Sequence, residues 1–268
     1  MKQRVGDRLG AAKILGSMAR LSFQGGDLAG ARKESEESLR IAREIGARVV
    51  EAQALRDLGV WSYSSGNLPA ARKRLEDALE RMKSTGADLD AASCRLILAS
   101  IQMLEGSQSF AETERIAREV ADWYGSREIY AFQARALALV AESLWRQGKL
   151  AQARQVAARA HDIVEQSEDL ESRILVTTSA ARIEAAAGQE RGALGHLTWA
   201  ISESERAGLV VANLSARLSY GSIQLKTGDP IGAQKSLAAV EQEAARRGFN
   251  LIATQVGILR KSVAPPLG

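Results

Sequence analysis

Covalent or metal chemistry needs a nucleophile, a proton shuttle or a set of ligands, and this sequence offers few of them. His161 and His196 are its two histidines. They lie 35 residues apart, and neither has a second histidine four residues on, the spacing that sets two imidazoles on one helix face for a metal. Both read as surface or helix-packing residues. The one cysteine, Cys94, lies in an apolar stretch and reads as core rather than nucleophile. Alone it forms no internal disulfide, which fits a reducing compartment and predicts a cytoplasmic location. The glycines of GQERGALG, residues 188–195, lack the Lys-Ser/Thr that completes a phosphate loop. Glu34, Glu36 and Glu37 balance Arg32 and Lys33 along one helix, and no ligands converge on a metal. The expectation is a chain that is not an enzyme, holds no metal or cofactor, and works through its surface.

Composition sets the frame for that surface. The chain has 268 residues, with 46% apolar, 4% aromatic and four prolines, which points to an alanine- and leucine-built core rather than a sandwich or barrel. Lysine and arginine exceed aspartate and glutamate by a net +4, but the two signs interleave along the same segments. A mixed solvated surface is expected, and nucleic acid is disfavoured as a partner. The N-terminus shows no charged-then-apolar leader, and no run of 18 apolar residues occurs, so membrane association is not expected.

The dominant feature is a repeat. Gly26, Gly66, Gly106, Gly148, Gly188 and Gly228 are spaced 40, 40, 42, 40 and 40 residues apart. A second series, Gly46, Gly86, Gly208 and Gly248, runs half a period out of phase. Two residues after the turn glycine stand Leu28, Leu68 and Leu150, while in GSQSF Phe110 takes that role two residues late. The insertion therefore lies in a turn, where it costs least. Seven residues before each turn glycine come Ala19, Gly59, Ala99, Ala141, Ala181 and Gly221. Five residues after it come Ala31, Ala71, Ala153, Ala193 and Ala233, with Thr113 in the shifted repeat. Small side chains at fixed points of two successive helices let their backbones approach closely.

Each period holds two amphipathic stretches. Val50, Ala54, Leu58 and Trp61 share one face of the first, and Ala71, Leu75, Ala78, Leu79 and Met82 share one face of the second. A helix of this length, about 25 Å, is too slender to bury its apolar face alone, so neighbours must cover it.

DLGVWSYSSGNLPAARKRLEDAL, residues 57–79, and SLWRQGKLAQARQVAARA, residues 143–160, resemble the tetratricopeptide repeat. The 40-residue period is similar to that of kinesin light chains and Pins-type scaffolds, and SLRIAREIGARVVEAQALRDLG resembles the C-terminal arrays of bacterial multidomain regulators. The resemblance implies an all-α, right-handed α-solenoid of about six helix pairs, over residues 7–46, 47–86, 87–128, 129–168, 169–208 and 209–248. A capping helix over about 249–263 is expected to end before Pro265 and Pro266. The array departs from the family where an aromatic is usual, at Ser22, Ser62, Gln102, Leu144, Glu184 and Gln224, and the groove asparagines of the Pins-type proteins are largely absent. Gly6 falls in phase with Gly46, which predicts that residues 1–5 close the second helix of a preceding repeat in a longer polypeptide.

The resemblance also implies a role: a non-catalytic module that binds a peptide or partner domain along its first helices, within a larger regulatory protein. A second reading is a regulatory or oligomerising segment that restrains an attached kinase or transcriptional module, and RNA binding ranks third. In such an array the first helices line the concave groove. Counting back 13, 10, 6, 3 and 2 residues from each turn glycine selects Lys13, Arg20, Phe23, Arg56, Tyr63, Met103, Arg135, Glu142, Trp145, Arg146, Arg182 and Lys226. Cations dominate, with aromatic and apolar anchors between them, which predicts a partner carrying acidic and apolar groups, in trans or on the same polypeptide.

Overall fold

A computed structural model of the chain describes residues 2–227 and 229–263. Thirteen α-helices follow one another among them: α1 (Lys2–Gln24), α2 (Leu28–Glu44), α3 (Arg48–Ser64), α4 (Leu68–Thr85), α5 (Asp88–Leu104), α6 (Phe110–Gly125), α7 (Tyr130–Arg146), α8 (Leu150–Val164), α9 (Leu170–Ala186), α10 (Glu190–Arg206), α11 (Val210–Gln224), α12 (Pro230–Arg246) and α13 (Asn250–Val263). No described residue lies in a strand. No helix of the described residues is long and apolar enough to cross a membrane.

Odd-numbered helices open a repeat and even-numbered ones close it. Where the turn supplies aspartate or asparagine, it caps the second helix: Asp27 accepts from the Gly30 N–H at 2.8 Å, Asn67 from Ala70 at 3.1 Å, and Asp229 from Gly232 at 2.9 Å. The two extra residues of the third repeat fall in a 3-10 turn, Ser107–Ser109, directly before Phe110 opens α6. Among the described residues the closing positions Gly46, Gly86, Gly208 and Gly248 all have positive φ, between 68° and 84°. The third repeat keeps that geometry without a glycine: Glu128 sits at φ 57° in the equivalent place. Gly228, Pro265 and Pro266 lie outside the described residues.

Gly6 departs from the expectation. Helix α1 runs unbroken from Lys2, so Gly6 lies within a helix and closes none. The other closing glycines are each followed by an apolar residue, Ala47, Ala87, Leu209 or Phe249, which can pack back on the helix it ends. Gly6 is followed by Asp7, which cannot. Carrying a glycine inside a helix costs only about 1 kcal/mol.

The small residues are buried. Ala19, Ala99, Ala141 and Ala181 on first helices, and Ala31, Ala71, Thr113, Ala153, Ala193 and Ala233 on second helices, are all 0% exposed. Where glycine replaces alanine the approach is closer still. A Cβ added at Gly59 would stand 2.7 Å from Leu75 Cγ, and one at Gly221 would stand 2.7 Å from Leu237 Cγ.

The chain forms two compact units, one of residues 1–101 with 247–251, the other of residues 102–246 with 252–268. The core of the first joins Leu55, Leu75, Ala78, Met82, Cys94 and Ile101. That of the second includes Ile174, Ala193, Leu197, Ala200, Ala216 and Ile223. Within the first unit, residues 247–251 are held by the opening repeats. Phe249 is fully buried and meets Phe23 edge-on, with ring centroids 5.6 Å apart, while Gly248 lies against Leu28. Within the second unit, α13 is fastened to α12 by Arg260, which pairs with Glu241 and donates to Gln234 Oε1 at 3.2 Å.

Replacing Ala71 or Ala153 with leucine forces two helices apart. Each substitution is expected to lower stability by about 1–3 kcal/mol, read as a lower urea midpoint, whereas leucine at exposed Ala29 should leave the midpoint unchanged.

Candidate functional site: the polar face of the first helices

In the first unit, the first helices α1, α3 and α5 share a run of charged side chains. The Arg56 guanidinium donates to Asp57 Oδ1 from Nη2 at 2.8 Å and from Nε at 3.0 Å, and its Nη1 donates to Asp90. Gln53 donates to the other Asp90 oxygen at 2.8 Å. Arg20 reaches across from α1 and donates to Asp57 Oδ2 at 3.1 Å, with its second nitrogen on Ser17 Oγ at 3.2 Å. Burial of Arg56 works against its charge, but Asp57 and Asp90 outweigh that and hold its pKa above the ordinary guanidinium value. The Asp57 side chain is only 4% exposed, so these donors supply the contacts that water would otherwise make.

Beside this network, α1 and α3 enclose a cavity of about 300 Å³. Lys13 and Arg20 form one wall, and Gln53, Ala54 and Asp57 form the opposite one. Lys13 is exposed at its rim. Phe23 plays a different part from the one expected of it. Its ring stacks on Trp61 at 4.1 Å between centroids and is covered by Phe249, while the Trp61 indole N–H donates to Ser35 Oγ at 2.9 Å. Phe23 is thus engaged by its own chain. Tyr63 is half-buried and packs against the core of this unit.

In the second unit, Glu142 on α7 accepts from Arg182 on α9 at 2.8 Å, and Arg146 approaches its other oxygen at 3.7 Å. The Arg182 Nε and Thr178 Oγ1, one turn apart on α9, are buried without a hydrogen-bond partner. Arg135 lies 5.8 Å from the centroid of Phe132, and Arg146 lies 5.8 Å from that of half-buried Trp145. Met103 is half-buried and Lys226 exposed. The expected cations therefore divide: Arg20, Arg56 and Arg182 donate to carboxylates of neighbouring first helices, Lys13, Arg146 and Lys226 are exposed, and Arg135 is half-buried.

The two histidines are closer neighbours than their spacing in sequence implies. His161 of α8 and His196 of α10 line one cavity of about 220 Å³ over α9, and His196 Nδ1 lies 2.9 Å from Glu184 Oε2. Among the described residues no group of three His, Cys, Asp or Glu side chains is placed to hold a metal. Cys94 is fully buried, with its Sγ 3.6 Å from Met82 Sδ. Its pKa is pushed up to about 12, chiefly by burial; Arg56 pulls it down, and Asp90 and Asp57 push it up. A thiol in that state is not a nucleophile near neutral pH.

A family model described as tetratricopeptide repeat matches residues 10–84. Among solved structures, the chain is similar to the Rap conjugation gene regulator of the plasmid pLS20 in complex with the Phr* peptide, with a TM-score of 0.67 and 12% identity over 91% of this chain and 72% of that one. It is similar to NprR in complex with its cognate peptide NprX, with a TM-score of 0.67 and 12% identity over 94% of this chain and 72% of the other. It is also similar to the nearly identical TPR-like repeats of a putative kinesin light chain from Podosopora anserina, with a TM-score of 0.50 and 16% identity over 73% and 95% of the two chains. No protein of curated function matches the sequence. The fold is that of the tetratricopeptide repeat (TPR).

Sequence spacing places the residues of the TPR first-helix face, but it does not show which of them are already paired. Asp57 and Asp90 lie outside the counted positions, and they decide the state of Arg20 and Arg56. Their signal was an acid one residue after an arginine, in RDLG, and another on the next first helix, in DLDAA.

Two outcomes follow from this geometry. Phe249→Ala removes a fully buried ring from the Phe23–Trp61 stack and should cost about 3–5 kcal/mol in urea unfolding. Between pH 9 and about 12 the unfolded chain releases the Cys94 proton while the folded chain retains it, so stability falls as pH rises. Cys94→Ala, which installs the residue found at Ala54 and Ala136, should abolish that part of the slope, about 1 kcal/mol per pH unit, when urea midpoints are compared across that range.

Proposed function

We propose that the chain is a protein-interaction module that recognises a peptide carrying carboxylates between apolar side chains, through the exposed cations on its first helices. The observation that carries this reading is the division of the arginines. Arg20, Arg56 and Arg182 are matched by Asp57, Asp90 and Glu142, while exposed Lys13 borders a polar cavity, half-buried Arg135 lies beside an aromatic ring, and exposed Arg146 lies beside another and at the looser distance of 3.7 Å from Glu142. A guanidinium or ammonium held at the edge of an apolar surface pairs well with an incoming carboxylate. The similar folds of NprR and the pLS20 regulator are described with bound peptides, which supports a peptide as the class of ligand. One of them is named as a gene regulator, which supports a place for this module inside a regulatory protein.

Peptides selected on the wild-type chain from a random library provide the test. Acidic residues should be enriched among them. Lys13→Glu and Arg135→Glu should each weaken the selected peptides at least tenfold in calorimetric titration, with helicity unchanged. Arg56→Met should instead lower stability, because it leaves Asp57 buried with fewer donors. Selected peptides without acidic enrichment, or affinities indifferent to both charge reversals, would remove this reading.

A further inference from the structure

The cavity over α9 lies among α8, α9 and α10, all within the second unit. Buried Ala157, Thr177 and Ile183 and half-buried Ala180 form its floor, and His161, His196 and Glu184 stand at its edges. Thr177, Ala180 and Glu184, spaced by three and four residues, share one face of α9. At 100° per residue Arg182 points roughly 160° away from that face, so the cavity is separate from the charges of the proposed peptide site.

The other repeats show what the fold ordinarily puts here. Ala180 stands eight residues before its turn glycine, where the equivalents are Met18, Leu58, Leu98, Val140 and Tyr220. Thr177, eleven residues before, corresponds to Leu15, Leu55 and Leu137, and to Arg95 and Arg217. His161 corresponds to Leu39, Leu79, Ala121 and Ile201, and to Glu241. One repeat earlier in the same unit, the places of Thr177, Ala180 and Glu184 are held by Leu137, Val140 and Leu144, all buried. Small or polar residues thus replace packing side chains at neighbouring positions of this one repeat, and the room they release is the cavity. The contact of Glu184 with His196 has counterparts in Ser22 with Glu34 and Ser62 with Arg74, so it belongs to the frame of the repeat.

We propose that this cavity receives a tyrosine side chain of a partner protein, its ring over Ala180 and Ile183 and its hydroxyl on Thr177 Oγ1. Size selects a ring. An apolar cavity of about 150 Å³ holds benzene, so one of about 220 Å³ admits a ring that carries a polar atom. The floor selects a hydroxyl, because Thr177 offers both a donor and an acceptor among apolar neighbours, and a phenolic O–H can answer either. The rim selects against an ion: Arg154 and Asp162 carry opposite signs, and Glu184 is engaged by His196 at 2.9 Å. The chain also holds its own precedent. Tyr220, the equivalent of Ala180 in the next repeat, packs half-buried against the core of the same unit.

NMR titration of the full chain with N-acetyl-tyrosinamide tests this. The two histidines of the chain both line the cavity, so their imidazole C–H signals report on it directly. Both should shift and saturate, with a dissociation constant of the order of a millimolar for so small a ligand. N-acetyl-phenylalaninamide, which lacks the hydroxyl, should bind about tenfold more weakly. Thr177→Val keeps the shape and removes the hydroxyl, and should erase that preference. Ala180→Leu restores the side chain found at Leu58 and Leu98, fills the cavity and should abolish the shifts without lowering the urea midpoint. Lys13→Glu and Arg135→Glu should leave the titration unchanged, which separates this inference from the proposed function. Histidine signals indifferent to the tyrosine amide overturn the proposal. So would equal affinity for the phenylalanine amide, a preference that survives Thr177→Val, or binding that survives Ala180→Leu.

Discussion

Within each of the two compact units, the two helices of a pair meet through positions that admit only small side chains. Alanine or glycine stands on both helices of each pair that lies within one unit, and every one is buried. Gly59 and Gly221 mark the limiting case, where even a methyl group would fall inside the packed Leu75 or Leu237 side chain. A close approach fixes the angle of each pair and the direction in which its first helix faces. The positions of Lys13, Arg135 and Arg182 in space are therefore set by residues that touch none of them.

Polar contacts act on this frame in a second layer. Arg20 with Asp57, Arg56 with Asp90 and Glu142 with Arg182 each join neighbouring first helices, 34 to 40 residues apart in sequence. Breaking one partner of the most buried member would cost several times what its pair contributes, since Asp57 would be left without enough donors in a site closed to solvent. Such pairs are better at fixing one arrangement than at adding stability.

The repeat, its phase and the helix pairs were legible because glycine and alanine have few substitutes where a turn or a close approach is required. Glu128 shows where that legibility stops. A left-handed residue held by the surrounding turn need not be glycine, so the closing signal vanished from the third repeat while its geometry stayed. Gly6 shows the reverse, a glycine in phase whose next residue cannot complete the motif. At the site, position along the helix was readable and pairing state was not. Arg56 and Arg135 look alike in sequence, yet one is tied to two aspartates and the other rests against a ring. Phe23 had the spacing of an anchor, but the residue that covers it, Phe249, is 226 positions away and carries no mark of that contact.

The pairing also changes what the net charge means. A surplus of four cations over the whole chain would suit a polyanion if it were gathered on one face, since each phosphate contact needs a cation free to release its counterions. On the first helices, three of the seven cationic positions are already neutralised by carboxylates within hydrogen-bond reach. Of the other four, Lys13 borders a polar cavity, Arg135 and Arg146 lie beside the rings of Phe132 and Trp145, and Lys226 is exposed. Cations placed singly beside aromatic rings suit a ligand whose charges are themselves isolated by apolar groups. A peptide has that character, because carbon side chains separate its carboxylates; a nucleic-acid backbone, charged at every step, does not.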